Sequence, residues 1–253
     1  MKRFGLIGYP LGHSFSKRYF EGKFEKMGIS RTHRYELLEI KNLKDFPTIW
    51  ERYDDLVGVN VTVPHKINIM RFLDQLDASA QKADAVNVVK REGTKLIGYN
   101  SDIYGFNKSL QNWLPEVSSF SSNALILGTG GASQAVQIAL MELGINFQTV
   151  SRKPKQGDMT YTAFENDDQI IPHYQLIINT TPVGMHPNVN DAPPIPYEQM
   201  TSDHFLYDLV YNPEKTVFMK EGEANGAKVI NGLEMLHLQA EKSWEIWTDS
   251  YGV

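Results

Sequence analysis

The sequence of 253 residues contains no cysteine. That absence excludes disulfide bonds, thiolate metal ligands and cysteine nucleophiles. The 7 histidines are scattered along the chain, and no pair of them has the spacing of metal ligands. The sequence therefore predicts no metal site.

Long hydrophobic runs and basic stretches are absent as well. Apolar residues occur in short strand-like segments, well below the roughly 20 residues of a membrane-spanning helix. The formal net charge is −5, so the composition predicts binding neither to membranes nor to nucleic acid. Residues 1–8 have the pattern of a strand rather than of a signal peptide. With the lack of cysteine, this pattern predicts a cytoplasmic protein.

Strand-like and helix-like segments alternate along the chain, which predicts a parallel α/β fold. Two lobes with a ligand-binding cleft between them are expected, with the boundary near residues 101–104. The predicted strands are 3–8, 33–38, 57–61, 85–89, 95–99, 146–150, 175–179, 205–208 and 228–230, with one more that begins at residue 123. The predicted helices are 16–27, 43–52, 65–73, 104–113, 134–143 and 233–247.

Residues 123–133 combine an apolar strand with a glycine-rich turn, and a helix-forming stretch follows. This is the layout of a dinucleotide site. Gly128 allows the tight turn, Gly130 lets the backbone approach a pyrophosphate, and Gly131 or Ala132 permits close helix packing. The phosphates would lie over the N–H groups at the helix start. An ordinary strand–turn–helix unit has the same pattern, so the glycines alone leave both interpretations open.

The next strand of this unit ends in Ser151, Arg152 and Lys153, where an NAD site carries an acid for the ribose 2′-hydroxyl. An acid would repel a 2′-phosphate, whereas an arginine binds it with two parallel hydrogen bonds and stacks on the adenine. The predicted cofactor is therefore NADP rather than NAD. The alternative interpretation is that Arg152 and Lys153 are solvated loop charges.

Polar residues also follow strands of the first half, at the sheet edge where ligands bind. Ser14 and Ser16 follow the first strand, and Asn87 lies in an apolar strand where it would need buried partners. Asp102 precedes a predicted helix. Helix capping is the alternative interpretation for Asp102 and for one of the two serines.

A third polar stretch surrounds Lys66. Asn60 and Thr62 share one face of a strand because strand side chains alternate. Pro64 suits an early helix position, which predicts Lys66 in the first turn of the helix over 65–73. A cation there opposes the helix dipole, so it needs a compensating anion or a function.

Taken together, these motifs resemble the shikimate dehydrogenase family, and the resemblance covers the whole chain. The motifs that carry it are His13-Ser14-Phe15-Ser16, Asn60-Val61-Thr62-Val63-Pro64-His65-Lys66, Ala85-Val86-Asn87, Asn100-Ser101-Asp102, Gly128-Thr129-Gly130-Gly131-Ala132, Ser151-Arg152-Lys153, Asp208-Leu209-Val210-Tyr211-Asn212-Pro213 and Gly232-Leu233-Glu234-Met235-Leu236-His237-Leu238-Gln239-Ala240.

The resemblance implies NADP-linked interconversion of 3-dehydroshikimate and shikimate in chorismate and aromatic amino acid biosynthesis. It implies a substrate-binding and catalytic α/β domain of residues 1–101, completed by 232–253, and a Rossmann-type NADP-binding domain of residues 102–231. It makes Lys66 and Asp102 the catalytic pair. The implied substrate contacts are Ser14, Ser16, Asn60, Thr62, Asn87, Tyr211 and Gln239. The implied cofactor contacts are Gly128, Thr129, Gly130, Gly131, Ala132, Ser151, Arg152, Lys153, Thr180 and Gly232. Residues 179–185 resemble the loop beside the nicotinamide.

The residue types agree with this chemistry. Hydride transfer to a carbonyl carbon develops negative charge on the oxygen, which must receive a proton. A lysine is ordinarily protonated at neutral pH and can supply that proton, while a nearby carboxylate holds the ammonium in place. Alcohol oxidation requires the neutral amine, so it should accelerate as the pH rises. Short hydroxyl and amide side chains suit a small polyhydroxylated acid.

Three residues depart from the family pattern: Lys17, Tyr99 and Ser101 stand where proline, an acid and threonine are common. These differences concern substrate specificity rather than the reaction class. A quinate or dual quinate/shikimate dehydrogenase is the nearest alternative, and a non-catalytic NADP-binding sensor is an alternative of another class. The protein is expected to be a monomer or a homodimer.

Overall fold

A computed structural model describes residues 1–12, 14–114, 123–154, 156–167 and 169–249. The chain divides into two compact units, one formed by Met1–Asp102 with Gln239–Val253 and the other by Ile103–Leu238. Each unit carries a six-stranded sheet. Alternating strands and helices build both units, so the predicted α/β class is confirmed.

The first unit contains the sheet β2-β1-β3-β5-β6-β4. Its strands are β1 (Lys2–Gly8), β2 (His33–Glu39), β3 (Leu56–Val61), β4 (Gln75–Leu76), β5 (Val88–Glu92) and β6 (Lys95–Tyr99). Its helices are α1 (Phe15–Lys26), α2 (Phe46–Arg52) and α3 (Ala78–Ala83). The β5 strand runs antiparallel to β3 and β6, whereas the other pairs are parallel, so this sheet is mixed.

Apolar residues cover both faces of this sheet because neighbouring side chains on a strand point to opposite sides. Phe4 and Leu6 pack in one cluster with α1 and with Trp244. Ile7, the next residue on β1, packs in the other cluster with α2. The central strands of the sheet are therefore buried on both faces.

The second unit has the wholly parallel sheet β12-β11-β10-β7-β8-β9. Its strands are β7 (Asn123–Leu127), β8 (Phe147–Ser151), β9 (Met159–Thr160), β10 (Tyr174–Asn179), β11 (Phe205–Asp208) and β12 (Lys228–Asn231). The helices that come after α3 in the chain are α4 (Asp102–Trp113), α5 (Gly131–Glu142), α6 (Ala163–Asn166), α7 (Val217–Ala224) and α8 (Leu233–Thr248).

This strand order is that of the Rossmann fold, in which the connections reverse direction between the first and fourth strands. Here the reversal falls between β7 and β10, which pair in parallel with Leu127 opposite Asn179. Ligands of open α/β sheets bind at the carboxyl ends of the strands beside such a reversal. No helix in the described part of the chain is both long and apolar enough to span a membrane.

Two predicted elements around the polar stretches are wrong. The chain over 65–73 is not an α-helix, because the carbonyl oxygen of Lys66 accepts a hydrogen bond from the N–H of Val86 instead of from a following turn. A 3-10 helix covers only Asn68–Phe72, so Lys66 precedes it rather than lying in a first helical turn. The strand expected from residue 85 begins at Val88, although Asn87 still bonds to Tyr99 through its N–H.

Candidate active site

Lys66 and Asp102 form an ion pair in the first unit. The Nζ atom of Lys66 lies 2.7 Å from Oδ2 of Asp102, and their side chains are 28% and 14% exposed. Lys66 follows β3 through a turn in which the N–H of His65 donates to the carbonyl of Thr62. Buried His65 anchors that turn, since its Nε2 lies 2.8 Å from the carbonyl oxygen of Ile40. The ammonium is thus held by a carboxylate while remaining accessible.

The second oxygen of Asp102 is held by Asn87. The Nδ2 atom of Asn87 donates to Oδ1 of Asp102 at 2.8 Å, and Oδ1 of Asn87 accepts from the backbone N–H of Ser101 at 2.7 Å. Asp102 begins α4, with its N–H donating to Oδ1 of Asn100. Asn100 is fixed in turn by a bond from its Nδ2 to the carbonyl of Ala85. The carboxylate therefore has a defined orientation toward Lys66.

Asn60 lies beside this pair and is 6% exposed. Its Oδ1 accepts from the hydroxyl of Tyr35 at 2.8 Å, and its Nδ2 donates to Oγ of Ser243 at 2.9 Å. Nδ2 also lies 3.3 Å from the carbonyl oxygen of Asn87. Burial raises the pKa of Tyr35, which keeps its hydroxyl protonated as a donor. Asn60 consequently links the strand end to helix α8.

The serines predicted as substrate contacts differ in their surroundings. Ser16 lies inside α1, not at its N-cap. Ser14 occupies the N-cap position without a side-chain capping bond. Its Oγ is buried and has no hydrogen-bond partner among residues 1–12, 14–114 and the other described segments. His13, whose role was left open, lies outside the described residues.

Gln239 belongs to the same unit, and its Oε1 lies 3.4 Å from Oγ of Ser101. Thr62 lies at the end of β3, with its N–H bonded to the carbonyl of Ile7. The first unit thus contains Lys66, Asp102, Ser14, Ser16, Asn60, Thr62, Asn87 and Gln239. Tyr211 belongs to the second unit.

Three polar residues of this network were not among the predicted site residues. Tyr35, Ser101 and Ser243 supply the hydroxyls that bond Asn60 and Asn87. Ser101 and Ser243 have no exposed surface. A buried serine on the apolar face of a helix was the available signal for Ser243, since buried polar groups require partners.

The glycine-rich turn lies between β7 and α5. Gly128 has a φ of +107°, and a Cβ atom there would lie 2.8 Å from Oγ1 of Thr180. Glycine is required because this conformation and this close approach both exclude a side chain. Thr180 is fixed against the turn, since its N–H and its Oγ1 both donate to the carbonyl of Leu127. Gly128 therefore allows the tight turn between β7 and α5, as expected from the sequence.

The start of α5 is open. Gly130 is the N-cap residue and has no side chain to bond the first N–H groups. Cβ atoms added to Gly130 or Gly131 would meet no atom within 4 Å. The expectation that Gly131 or Ala132 permits close helix packing is therefore wrong, because both residues are exposed and α5 packs through residues such as Val136 and Leu140. This helix end has space for an anion over its N–H groups.

Strand β8 ends next to the glycine turn, since the N–H of Gly128 donates to the carbonyl of Val150. Ser151 is buried, and its Oγ accepts from the N–H of Lys153 at 3.2 Å. Arg152 and Lys153 are exposed and follow directly. These cations and the open helix start fit a dinucleotide with a 2′-phosphate.

The remaining predicted cofactor residues follow neighbouring strands. Thr129 is half-buried in the turn itself. Gly232 follows β12, and a Cβ atom there would lie 2.3 Å from the carbonyl oxygen of Leu209. Among the described residues, no group of three or more His, Asp or Glu side chains could hold a metal ion.

Comparison with known proteins gives consistent results. Residues 6–89 match the family described as the shikimate dehydrogenase substrate binding domain. The shikimate dehydrogenase (NADP(+)) of Methanococcus maripaludis strain C7 is 39% identical and aligns with 98% of this chain and 91% of its own length. The corresponding protein of Bacillus subtilis strain 168 is 35% identical, with coverage of 98% and 91%.

The solved structures include shikimate 5-dehydrogenase from Thermus thermophilus in complex with NADP(H) and shikimate. It matches with a TM-score of 0.83 and 30% identity over 98% of this chain and 94% of that one. Sequence relatives and structures therefore agree along nearly the full length. The chain belongs to the shikimate dehydrogenase family.

Proposed function

We propose that this protein catalyses the reversible, NADP-dependent reduction of 3-dehydroshikimate to shikimate, with Lys66 and Asp102 as its acid/base pair. The observation that carries the proposal is the 2.7 Å contact between Nζ of Lys66 and Oδ2 of Asp102, surrounded by neutral amide and hydroxyl groups. Family membership supports the same activity, since relatives such as that of Methanococcus maripaludis bear this name.

Lys66 moves the proton. When bound, NADPH would supply the hydride for reduction, and NADP would accept it in oxidation. As the carbonyl oxygen of 3-dehydroshikimate gains negative charge, the ammonium of Lys66 donates a proton to it and becomes neutral. In the oxidation of shikimate the neutral amine accepts the hydroxyl proton. Asp102 orients the amine in both directions through the contact with Oδ2.

The first unit is proposed to be the substrate domain. Ser14, Ser16, Asn60, Thr62, Asn87 and Gln239 would bind the carboxylate and hydroxyls of the substrate. The buried, unpartnered Oγ of Ser14 supports this role, because a polar ligand atom would supply the hydrogen bond that it lacks within the described residues.

The second unit is proposed to be the NADP domain. The open N-terminus of α5, with Thr129 to Ala132, would bind the pyrophosphate, while Ser151, Arg152 and Lys153 would bind the 2′-phosphate. Thr180 and Gly232 would border the cofactor at the ends of the neighbouring strands. The second unit would thus bind a dinucleotide with a 2′-phosphate, and the first unit a small polar acid.

Turnover of shikimate and of quinate, each with NADP and with NAD, tests this assignment. The proposal predicts that shikimate with NADP gives the highest kcat/KM of the four combinations. A preference for quinate with NAD would contradict it. NADP binding without turnover of either acid would instead indicate a non-catalytic sensor.

A further inference from the structure

The second unit contains a buried carboxylate that the proposed reaction does not use. Asp208 is the last residue of β11, with Asn179 of β10 opposite it on one side and Asn231 of β12 on the other. Its exposed fraction is 0%. A buried acidic group is unfavourable unless its hydrogen bonds are satisfied, so its partners indicate what its presence stabilises.

Three neutral groups donate to this carboxylate. Oδ1 accepts from Nδ2 of Asn179 at 2.9 Å and from the backbone N–H of Val210 at 3.0 Å, while Oδ2 accepts from Oγ1 of Thr216 at 2.6 Å. Asp208 thereby joins the end of β10, the chain leading to Tyr211, and the N-cap residue of α7.

The hydrogen bond from Asn179 to Asp208 constrains which way the side-chain amide of Asn179 faces. An ionised carboxylate only accepts hydrogen bonds, so it requires the NH₂ group of Asn179 on its own side. Oδ1 of Asn179 then faces the opposite way and accepts from the N–H of Thr181 at 3.0 Å and from its Oγ1 at 2.6 Å. That hydroxyl oxygen also accepts from the N–H of Val183 at 3.2 Å.

This chain of bonds ends beside the glycine-rich turn. A Cβ atom on Gly128 would lie 3.0 Å from Cγ2 of Thr181 and 2.8 Å from Oγ1 of Thr180. Both threonines therefore pack directly on the turn at which β7 ends. Nδ2 of Asn179 also donates to the carbonyl oxygen of Val183 at 3.4 Å, so Asp208 supplies the shorter of the two bonds that orient this amide. Oδ1 of Asn179 in turn holds Thr181 beside the turn.

We propose that Asp208 is a positioning residue for the cofactor: its carboxylate orients the amide of Asn179 and thereby holds Thr181–Val183 beside the glycine-rich turn. This inference rests on the proposed NADP site of the second unit. The positioning role of Asp208 concerns the affinity for NADP, so a direct measurement of NADP binding tests it independently of turnover.

The test compares four variants for the Kd of NADP without substrate, the KM of NADP and of shikimate, and the melting temperature. Asp208→Ala removes the acceptor for Asn179 and should weaken NADP binding about 10-fold or more, while the KM of shikimate stays within about 2-fold. Asp208→Asn retains an oxygen for Asn179 and should stay within about 3-fold of the unaltered protein.

Thr216→Val and Thr181→Val separate positioning from stability. Thr216→Val removes the contact with α7 but keeps the Asn179 bond, so it should lower the melting temperature with NADP affinity nearly unchanged. Thr181→Val breaks the chain one bond beyond Asn179 at a half-buried residue, and it should weaken NADP binding as Asp208→Ala does.

Unchanged NADP affinity in Asp208→Ala would overturn the inference, as would an equal loss of affinity in Thr216→Val. If Asp208→Ala does not fold, Thr181→Val decides, and unchanged affinity there would overturn the inference too. A protein that binds NADP but does not oxidise shikimate would refute the proposed function, while the comparison of NADP affinities would still judge the role of Asp208.

Discussion

The carboxylate of Asp102 is held from both sides: Oδ2 accepts from Nζ of Lys66 at 2.7 Å, and Oδ1 accepts from Nδ2 of Asn87 at 2.8 Å. Asn87 also accepts from the N–H of Ser101, which fixes its amide orientation. The position of the ammonium is therefore set by a continuous series of hydrogen bonds and not by one exposed ion pair, which would be worth little by itself.

The first prediction concerns the pH dependence of the two directions. Shikimate oxidation should accelerate as the pH rises, because Lys66 must be neutral to accept the hydroxyl proton. Reduction of 3-dehydroshikimate should slow over the same range, because Lys66 must then carry the proton. Initial rates in both directions, at saturating concentrations across the alkaline range, measure this. Parallel profiles in the two directions would contradict a proton-transfer role for this lysine.

A second prediction concerns the choice of cofactor. Arg152→Ala should raise the KM of NADP about 10- to 100-fold and leave that of NAD nearly unchanged, since charge-assisted bonds to the 2′-phosphate are lost. Lys220→Ala, at an exposed lysine of α7 in the same unit, is the matched control and should change neither value. An equal rise in the KM of both cofactors in Arg152→Ala would show that the guanidinium does not bind the 2′-phosphate.

The glycines of the turn should separate folding from binding. Gly128→Ala should destabilise the protein by about 1–3 kcal/mol, because its φ of +107° is strained for any L side chain and its Cβ would crowd Thr180. Gly130→Ala has open space around the added methyl, so it should destabilise the protein less than Gly128→Ala does, with only the poorer N-cap of α5 to lower stability. It should nonetheless weaken NADP binding, because the methyl group occupies the approach to the helix N-terminus.

Thermal melts and NADP titrations of both variants check this contrast. Unchanged NADP affinity in Gly130→Ala would show that the pyrophosphate does not bind at the N-terminus of α5.

Asp208 should give a recognisable pH dependence of stability. Burial raises its pKa to about 6 from 3.8, although bonds from Thr216, Val210 and Asn179 act in the opposite direction. Between these two values the folded protein binds more protons than the unfolded chain, so this group makes the free energy of unfolding decrease as the pH rises. The decrease is about 3 kcal/mol, since each unit of pKa corresponds to about 1.4 kcal/mol.

Denaturant unfolding of the unaltered protein and of Asp208→Asn, at several pH values between about 4 and 7, measures the difference between them. Tyr197, the titratable group whose pKa Asp208 raises further, stays protonated throughout. The unaltered protein should lose stability relative to the variant as the pH rises. A constant difference would contradict the raised pKa.

Much of the site was predictable because its residues directly follow strands. Lys66 follows β3 and Asp102 follows β6, and such strand ends are where an α/β sheet binds ligands. The strands themselves carry strong apolar patterns, so most were placed within two residues. The offset of Arg152 from the glycine-rich turn likewise required only local sequence.

The parts that were missed depend on contacts between distant residues. The bond between Asn60 and Ser243 joins positions 183 residues apart, and no local pattern specifies it. The chain at 65–73 has a helix-like sequence, but the bond from Val86 to the carbonyl of Lys66 replaces the helical one. Long-range hydrogen bonds thus decide both the turn that presents Lys66 and the network that supports it.

The most direct test of the account is the formation of NADPH from NADP and shikimate by the unaltered protein and by Lys66→Ala, followed by absorbance, together with the Kd of NADP for each. Lys95→Ala, at an exposed lysine of β6 in the same unit, is the control. The account predicts that Lys66→Ala lowers kcat about 100- to 10,000-fold while NADP binds as before. Full turnover in Lys66→Ala would contradict it.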